Sequence, residues 1–248
     1  MAATARPLKH SAGQTNWYRN KMYTLYIANK NYSSWSLRPW MVLRELQIPF
    51  TEHVVPFHRQ DEWTAFRTLS PNGKVPCLID GSTTVWESLA IVEYLAERHR
   101  GVWPEAAGAR AWARSAAAEM HAGFGELRNR CSMSCGVRVQ LHSHTPALTA
   151  DLNRLTTLWN DGLSRFGGPF LAGAAFSAAD AFFAPVVFRI QTYGLTLDAA
   201  SQAYVTGMLG RESLRSWYDA GLREPWRDAS HEVEIAQFGR VTQDLRAT

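Results

Sequence analysis

No stretch of this 248-residue chain approaches the roughly 20 consecutive apolar residues that a membrane helix needs, so a membrane protein is not expected. Cysteine is scarce. Cys77, Cys131 and Cys135 are an odd number in a long chain, which suits a reducing compartment better than a disulfide framework and points to a cytoplasmic setting. Acidic residues are missing from residues 1–21, where Arg6, Lys9, Arg19 and Lys21 equal the formal net charge of +4 for the whole chain. The remainder has no basic bias, and nucleic acid is not an expected partner. The same 21 residues lack the 7–15 residue apolar stretch of a secretory signal. They are expected to be a disordered extension, with Met22 as an alternative natural start. There is no internal repeat, no low-complexity run and no HExxH pair. With 46% apolar and 19% charged residues the composition is globular, and the length suits two domains better than one.

Within residues 22–103 the pattern alternates. Tyr23 to Ala28 is rich in β-branched and aromatic residues and reads as a strand, followed by a polar break at Asn29 to Ser34. Leu37, Met41, Leu43, Leu46 and Ile48 then recur at helical spacing. Ser34 or Ser36 is a possible cap, and Pro39 is tolerable only in the first turn. Phe50 to Val55 is a second strand, so a parallel βαβ unit with a right-handed crossover is expected. Residues 59–69 form a short helical patch. Val75 to Ile79 and Thr83 to Trp86 are strands joined by a hairpin at Asp80-Gly81. Glu87 to Arg98 is an amphipathic helix. The order βαβαββα describes an α+β, thioredoxin-like domain ending near Trp103. Helical segments at about 107–129, 147–166, 177–192, 199–208 and 211–220 then predict an all-α domain over 107–248.

Two short segments carry the candidate chemistry. Pro76 cannot donate a ladder hydrogen bond, so it belongs at an edge or in a turn; a cis peptide there would leave the Val75 backbone free to pair with a peptide. Eleven residues later Glu87-Ser88 opens a helix, whose free N–H groups and positive dipole end favour a carboxylate, while Glu87 can hold an ammonium group. An α-amino acid terminus fits the pair; plain helix capping is the competing reading.

Ser33-Ser34-Trp35-Ser36-Leu37-Arg38, Asn72-Gly73-Lys74-Val75-Pro76 and Trp86-Glu87-Ser88-Leu89-Ala90-Ile91 together resemble the cytosolic glutathione S-transferase family, with echoes of its serine-type zeta and tau classes and of unassigned bacterial members. The resemblance spans residues 22 to about 230. It implies that Val75 pairs through its backbone with the cysteinyl unit of glutathione, beside Pro76, that Glu87 and Ser88 hold the γ-glutamyl end, and that Lys74 lies near the glycine carboxylate. His58 and Arg59 fall in the loop that often closes over the glycine end. A hydroxyl after the first strand would stabilise the reactive thiolate. Ser33 matches the catalytic serine, with Ser34 and Tyr32 as rivals. Trp35 stands where the zeta pattern carries a cysteine, which sets this chain apart from that class.

The resemblance further implies a detoxifying transferase that uses glutathione as co-substrate, needs no metal, attacks a small hydrophobic electrophile and forms a homodimer. Trp35, Met120, Phe124 and Arg128 would wall the electrophile pocket, and His121 is either part of it or a buried histidine. A glutathione-dependent cis-trans isomerase of the maleylacetoacetate or maleylpyruvate type, favoured by acidic-substrate contacts from Arg38 or Arg128, and a non-catalytic glutathione-binding protein remain as alternatives. Ser177-Ala178-Ala179-Asp180 reads as a structural capping box. Cys131, Cys135, His142 and His144 are close in sequence, but their spacing is a poor match to zinc patterns. Cys77 reads as a small core residue.

Overall fold

The computed structural model describes residues 22–57 and 62–247; the expectations for residues 1–21 and for the loop at His58 and Arg59 lie outside them. Strand β1 (Tyr23–Ile27) turns Tyr23, Leu25 and Ile27 inward, as the two-residue period of a strand requires. It pairs in parallel with β2 (Phe50–Val54) across α1 (Ser34–Glu45), and antiparallel with β3 (Cys77–Asp80). β3 returns as β4 (Thr83–Trp86), so the sheet order is β2-β1-β3-β4. Asp80 faces Thr83 across the hairpin, and Gly81 takes a φ of +60° that a tight turn demands. With α2 (Glu62–Leu69) and α3 (Ser88–Ala96) the expected βαβαββα order is complete.

Two local expectations need correction. The cap of α1 is Ser33, whose Oγ accepts the Ser36 N–H, and not Ser34 or Ser36. Pro39 is the sixth residue of α1 and not part of its first turn; the helix runs through it and forgoes one backbone bond to the Trp35 carbonyl.

The remaining chain is mainly helical: α4 (Ala107–Ala122), α5 (Gly125–Arg130), α6 (Pro146–Phe166), α7 (Ala178–Tyr193), α8 (Ala199–Leu209), α9 (Glu212–Arg223) and α10 (Ala229–Gln237). The single helix expected over 107–129 breaks at Gly123-Phe124, where Phe124 adopts a left-handed φ of +54°. This half also contains a two-stranded antiparallel ribbon, β5 (Val137–Leu141) with β6 (Gly239–Asp244), so it is helical but not purely so. α7 is its apolar axis and packs on α1 and α4. At the start of α7, Asp180 is fully buried and accepts four hydrogen bonds, from Leu171 N (3.0 Å), Ser177 N (2.9 Å), Ser177 Oγ (3.3 Å) and Tyr204 OH (3.1 Å). The expected capping box is present.

The two halves meet on the buried loop after β1. Glu224 accepts from the N–H groups of Lys30 (2.6 Å) and Asn31 (3.1 Å), and Trp217 Nε1 donates to the Lys30 carbonyl (2.8 Å). Gly221 allows this approach, since a Cβ there would lie 3.3 Å from the Asn31 nitrogen. The loop that delivers Tyr32, Ser33 and Ser34 is therefore held by side chains more than 180 residues away.

Candidate functional site

The site begins with a short peptide that cannot join a strand. Pro76 has no N–H to donate, so β3 starts at Cys77 and not at Val75 as the pattern had suggested. The Val75–Pro76 peptide is cis. Both residues line a narrow cleft of about 150 Å³ together with Trp35, Asn72, Lys74 and Glu87. Lys74 is exposed, and its backbone N–H donates to Asn72 Oδ1 at 3.0 Å.

Across the cleft, Glu87 precedes the first turn of α3 with φ +70° and ψ 129°. For a non-glycine residue this conformation costs on the order of 1–3 kcal/mol and persists only where its surroundings impose it. Its side chain is half exposed, with Oε2 3.9 Å from His121 Nε2. Ser88 is fully buried, and its Oγ has no hydrogen-bond partner. A free carboxylate therefore stands beside an unpartnered hydroxyl and the unpaired N–H groups of a helix start. The set is complementary to an ammonium and a carboxylate carried on one carbon.

A larger cavity of about 810 Å³ shares Trp35, Lys74 and Val75 with this cleft. Tyr32, Ser33 and Ser34 form its near wall. Ser33 is buried, and its hydroxyl donates to Ser36 Oγ at 2.7 Å; Ser36 Oγ also accepts from the Ala28 N–H at 3.2 Å. Ser34, at the first position of α1, is half-buried. The Tyr32 hydroxyl turns away, donating to Glu232 Oε1 at 2.5 Å, and its ring stacks on His231 at 5.0 Å. Burial, helped by Glu232, pushes the Tyr32 hydroxyl up to about 12. That is the wrong direction for a group meant to be acidic, and its proton is already committed.

The far wall comes from α5 and α7. Trp35 and Arg128 line the cavity; Met120 and Phe124 do not. Met120 is 1% exposed and Phe124 6%, both in the core, where the Phe124 ring meets Phe183 edge-on at 6.4 Å. His121 sits behind the cleft, edge-on to Trp35 at 5.1 Å, and burial followed by the nearby Arg38 holds it below its ordinary value. Arg189 is a lining residue that pattern reading did not single out. A lone arginine inside Val-Val-Phe-Arg-Ile was the available signal. α10 adds His231, Glu234 and Gln237 from a segment with no marked motif.

Cys77 is buried, and its thiol donates to the Leu69 carbonyl at 3.4 Å. Burial pushes the Cys131 thiol up to about 12 and that of Cys135 well up, which opposes thiolate formation at both. His142 and His144 follow β5 in a separate loop.

Residues 32–98 match the N-terminal domain of glutathione S-transferase, and residues 110–220 match its C-terminal domain. The glutathione S-transferase-like protein OpS6 of Beauveria bassiana is 27% identical over 191 residues, covering 72% of this chain and 84% of that protein. The dichloromethane dehalogenase of Methylorubrum extorquens is 44% identical over 59 residues, but only 23% of this chain and 20% of the dehalogenase take part. A glutathione transferase homologue from Burkholderia, solved with bound glutathione, superposes with a TM-score of 0.62 at 23% identity, over 81% of this chain and 98% of that one. The two domain matches together cover well over half of the sequence, and the chain belongs to the glutathione S-transferase family.

Proposed function

We propose that the protein is a glutathione transferase that stabilises the thiolate of bound glutathione for attack on a small electrophile. The carrying observation is the pairing at the start of α3: strained Glu87 with its free carboxylate, and buried Ser88 with an unpartnered hydroxyl. In this reading Glu87 takes the γ-glutamyl ammonium, while Ser88 and the helix N–H groups take its carboxylate. The Val75 backbone pairs with the cysteinyl unit next to Pro76, and Lys74 meets the glycine carboxylate. The sulfur then points toward α1. The Burkholderia homologue solved with glutathione and the dehalogenase among the relatives support this reading.

Ser33 is the proposed thiolate donor. Its Oγ is fixed by the Ser36 N–H, and its hydroxyl proton can swing from Ser36 Oγ to the sulfur while Ser36 donates back to Ser33. Hydroxyl and helix dipole then favour the anion, which forms the sulfur–carbon bond as the leaving group departs with its electron pair; the thiol proton goes to solvent. The electrophile occupies the larger cavity, against Trp35 and Arg128. We place the protein in the cytoplasm as a homodimer with a detoxifying role. Its three free cysteines agree with a reducing compartment.

Ser33→Ala is expected to lower kcat/KM with 1-chloro-2,4-dinitrobenzene about 100-fold while glutathione affinity persists. Failure of the wild type to bind glutathione would sink the proposal. Because the Ser33 hydroxyl is engaged with Ser36, a glutathione-binding protein without turnover is the second reading; binding with no turnover on any electrophile would select it. The arginines around Trp35 favour, within enzymes, reversible thiolate addition by an isomerase, which would be detected as cis-trans conversion without consumption of glutathione.

A further inference from the structure

Several arginines of this chain grip a carboxylate through two or more hydrogen bonds. Arg211 grips Glu45, Arg154 grips Glu119, Arg114 grips Glu93, and Arg246 is held between Glu232 and Asp244. Three arginines around the larger cavity are different, and two of them, Arg38 and Arg189, are buried. Arg189, 6% exposed, donates only to backbone carbonyls, Cys131 O at 2.8 Å and Pro185 O at 3.3 Å. Arg128 likewise reaches only the carbonyls of His121 (3.3 Å) and Gly123 (3.4 Å), with its guanidinium 4.8 Å from the Trp35 ring centre. Arg38, 1% exposed, lies 4.1 Å from the same ring centre and 4.8 Å from that of Phe182, and its Nε and Nη1 are buried with no partner. Among the described residues, none of the three forms an ion pair.

The three also act on one another. Arg189 and Arg128 both weaken the hold of Arg38 on its proton, and Arg128 does so to Arg189, in each case after burial itself. Among the described residues, Glu87 is the carboxylate that offsets this for Arg38, and Glu234, which accepts from Ser132 at 3.1 Å, is the acid on the cavity wall, against Lys74, Arg128 and Arg189. Burying cations without a counter-ion costs several kcal/mol, a cost that a bound anion would offset.

We infer that the second substrate of this cavity is an anion, an electrophile bearing a carboxylate or sulfonate, which Arg128 and Arg189 bind while Arg38 adds its field from behind Trp35. The inference rests on the transferase reading for its reaction, but not for its binding. A purely apolar electrophile would leave the guanidiniums unpaired. A planar carboxylate suits the forked geometry of arginine.

The test uses a matched pair, 4-chloro-3-nitrobenzoate and 4-chloro-3-nitrobenzamide, in which the glutathione sulfur replaces chloride. The ratio of kcat/KM for acid over amide should favour the acid beyond their uncatalysed ratio, and should fall about 10- to 100-fold in Arg189→Gln and Arg128→Gln. Arg189→Lys, with its melting temperature measured, should retain an intermediate ratio and separates lost charge from lost packing. An unchanged ratio, or a rise in the KM of glutathione in its place, would overturn the inference; the latter would mean that the arginines hold glutathione's own carboxylate. Calorimetric titration with 3-nitrobenzoate in the absence of glutathione covers the remaining case. Arginine-dependent binding without any turnover would keep the inference and end the transferase reading, and no binding would end the inference.

Discussion

The two ends of α7 treat buried charge in opposite ways. At its start, Asp180 is sealed from solvent and surrounded by four donors. Burial still pushes its carboxyl up to about 6, against those hydrogen bonds, so it is charged at neutral pH and fully partnered. Two turns further on, Arg189 and its neighbours Arg38 and Arg128 keep donors that no carboxylate among the described residues answers. The first arrangement closes a folding motif on itself. The second is open toward a cavity, which is what a binding wall requires.

The largest effect that could break this contrast is Asp180→Ala. Four donors would lose their acceptor in a site sealed from solvent, and a loss of stability of about 3 kcal/mol or more is expected. Turnover per folded molecule should change far less. Thermal unfolding with activity normalised to folded protein measures both, and a stable but inactive variant would contradict the structural assignment of Asp180.

Arg38→Met should behave in the reverse manner. Replacing an unpaired buried charge with an apolar side chain is often neutral or stabilising, here offset by the lost stacking on Trp35 and Phe182. A stability within about 1 kcal/mol of wild type is expected from these opposing contributions, together with a weaker preference for the acidic probe. A destabilisation comparable to that of Asp180→Ala would show Arg38 to be a folding residue.

These contrasts also explain what the sequence made legible. Lys74-Val75-Pro76 and Glu87-Ser88 are each contiguous, and each has a local physical consequence, a missing donor or a helix start, so the cleft lined by Lys74, Val75, Pro76 and Glu87 is legible in the sequence. The capping box at Asp180 is equally local. Arg189 was harder to place, because its meaning depends on Arg128 and Arg38, which are far apart in sequence and meet only through packing. The ribbon was missed for a related reason. Val137-Arg-Val-Gln-Leu does alternate, but its partner β6 lies about 100 residues away and is almost wholly exposed, so it carries no apolar signal. Met120 and Phe124 belong to a single helix in the spacing pattern, but the chain breaks at Gly123-Phe124: Met120 stays on α4 in the core, Phe124 turns inward at the break, and α5 supplies the cavity wall.

The smallest effect concerns His121, which lies between the two kinds of site, near Glu87 on one side and Arg38 and Arg128 on the other. Burial, then Arg38, then Arg128 lower its proton affinity, against the pull of Glu87, so the fold favours its neutral form. A histidine whose folded-state value lies below its ordinary 6.5 favours the fold fully above pH 6.5, and that contribution is lost as pH falls through the lowered value. The same proton should affect the ligand. Once charged, His121 would draw Glu87 to itself across the present 3.9 Å and repel the γ-glutamyl ammonium, so glutathione affinity should decline as pH falls from 6.5 toward 5. The carboxylates of glutathione do not titrate strongly in that window, and S-methylglutathione as the ligand removes the thiol from the comparison. In His121→Gln the decline should flatten, with affinity at pH 7.5 unchanged within about twofold, since the neutral form predominates above the ordinary histidine value. Isothermal titration at pH 5, 6 and 7.5 reads this directly. A variant that keeps the wild-type slope would rule out His121 as the source of the acid sensitivity.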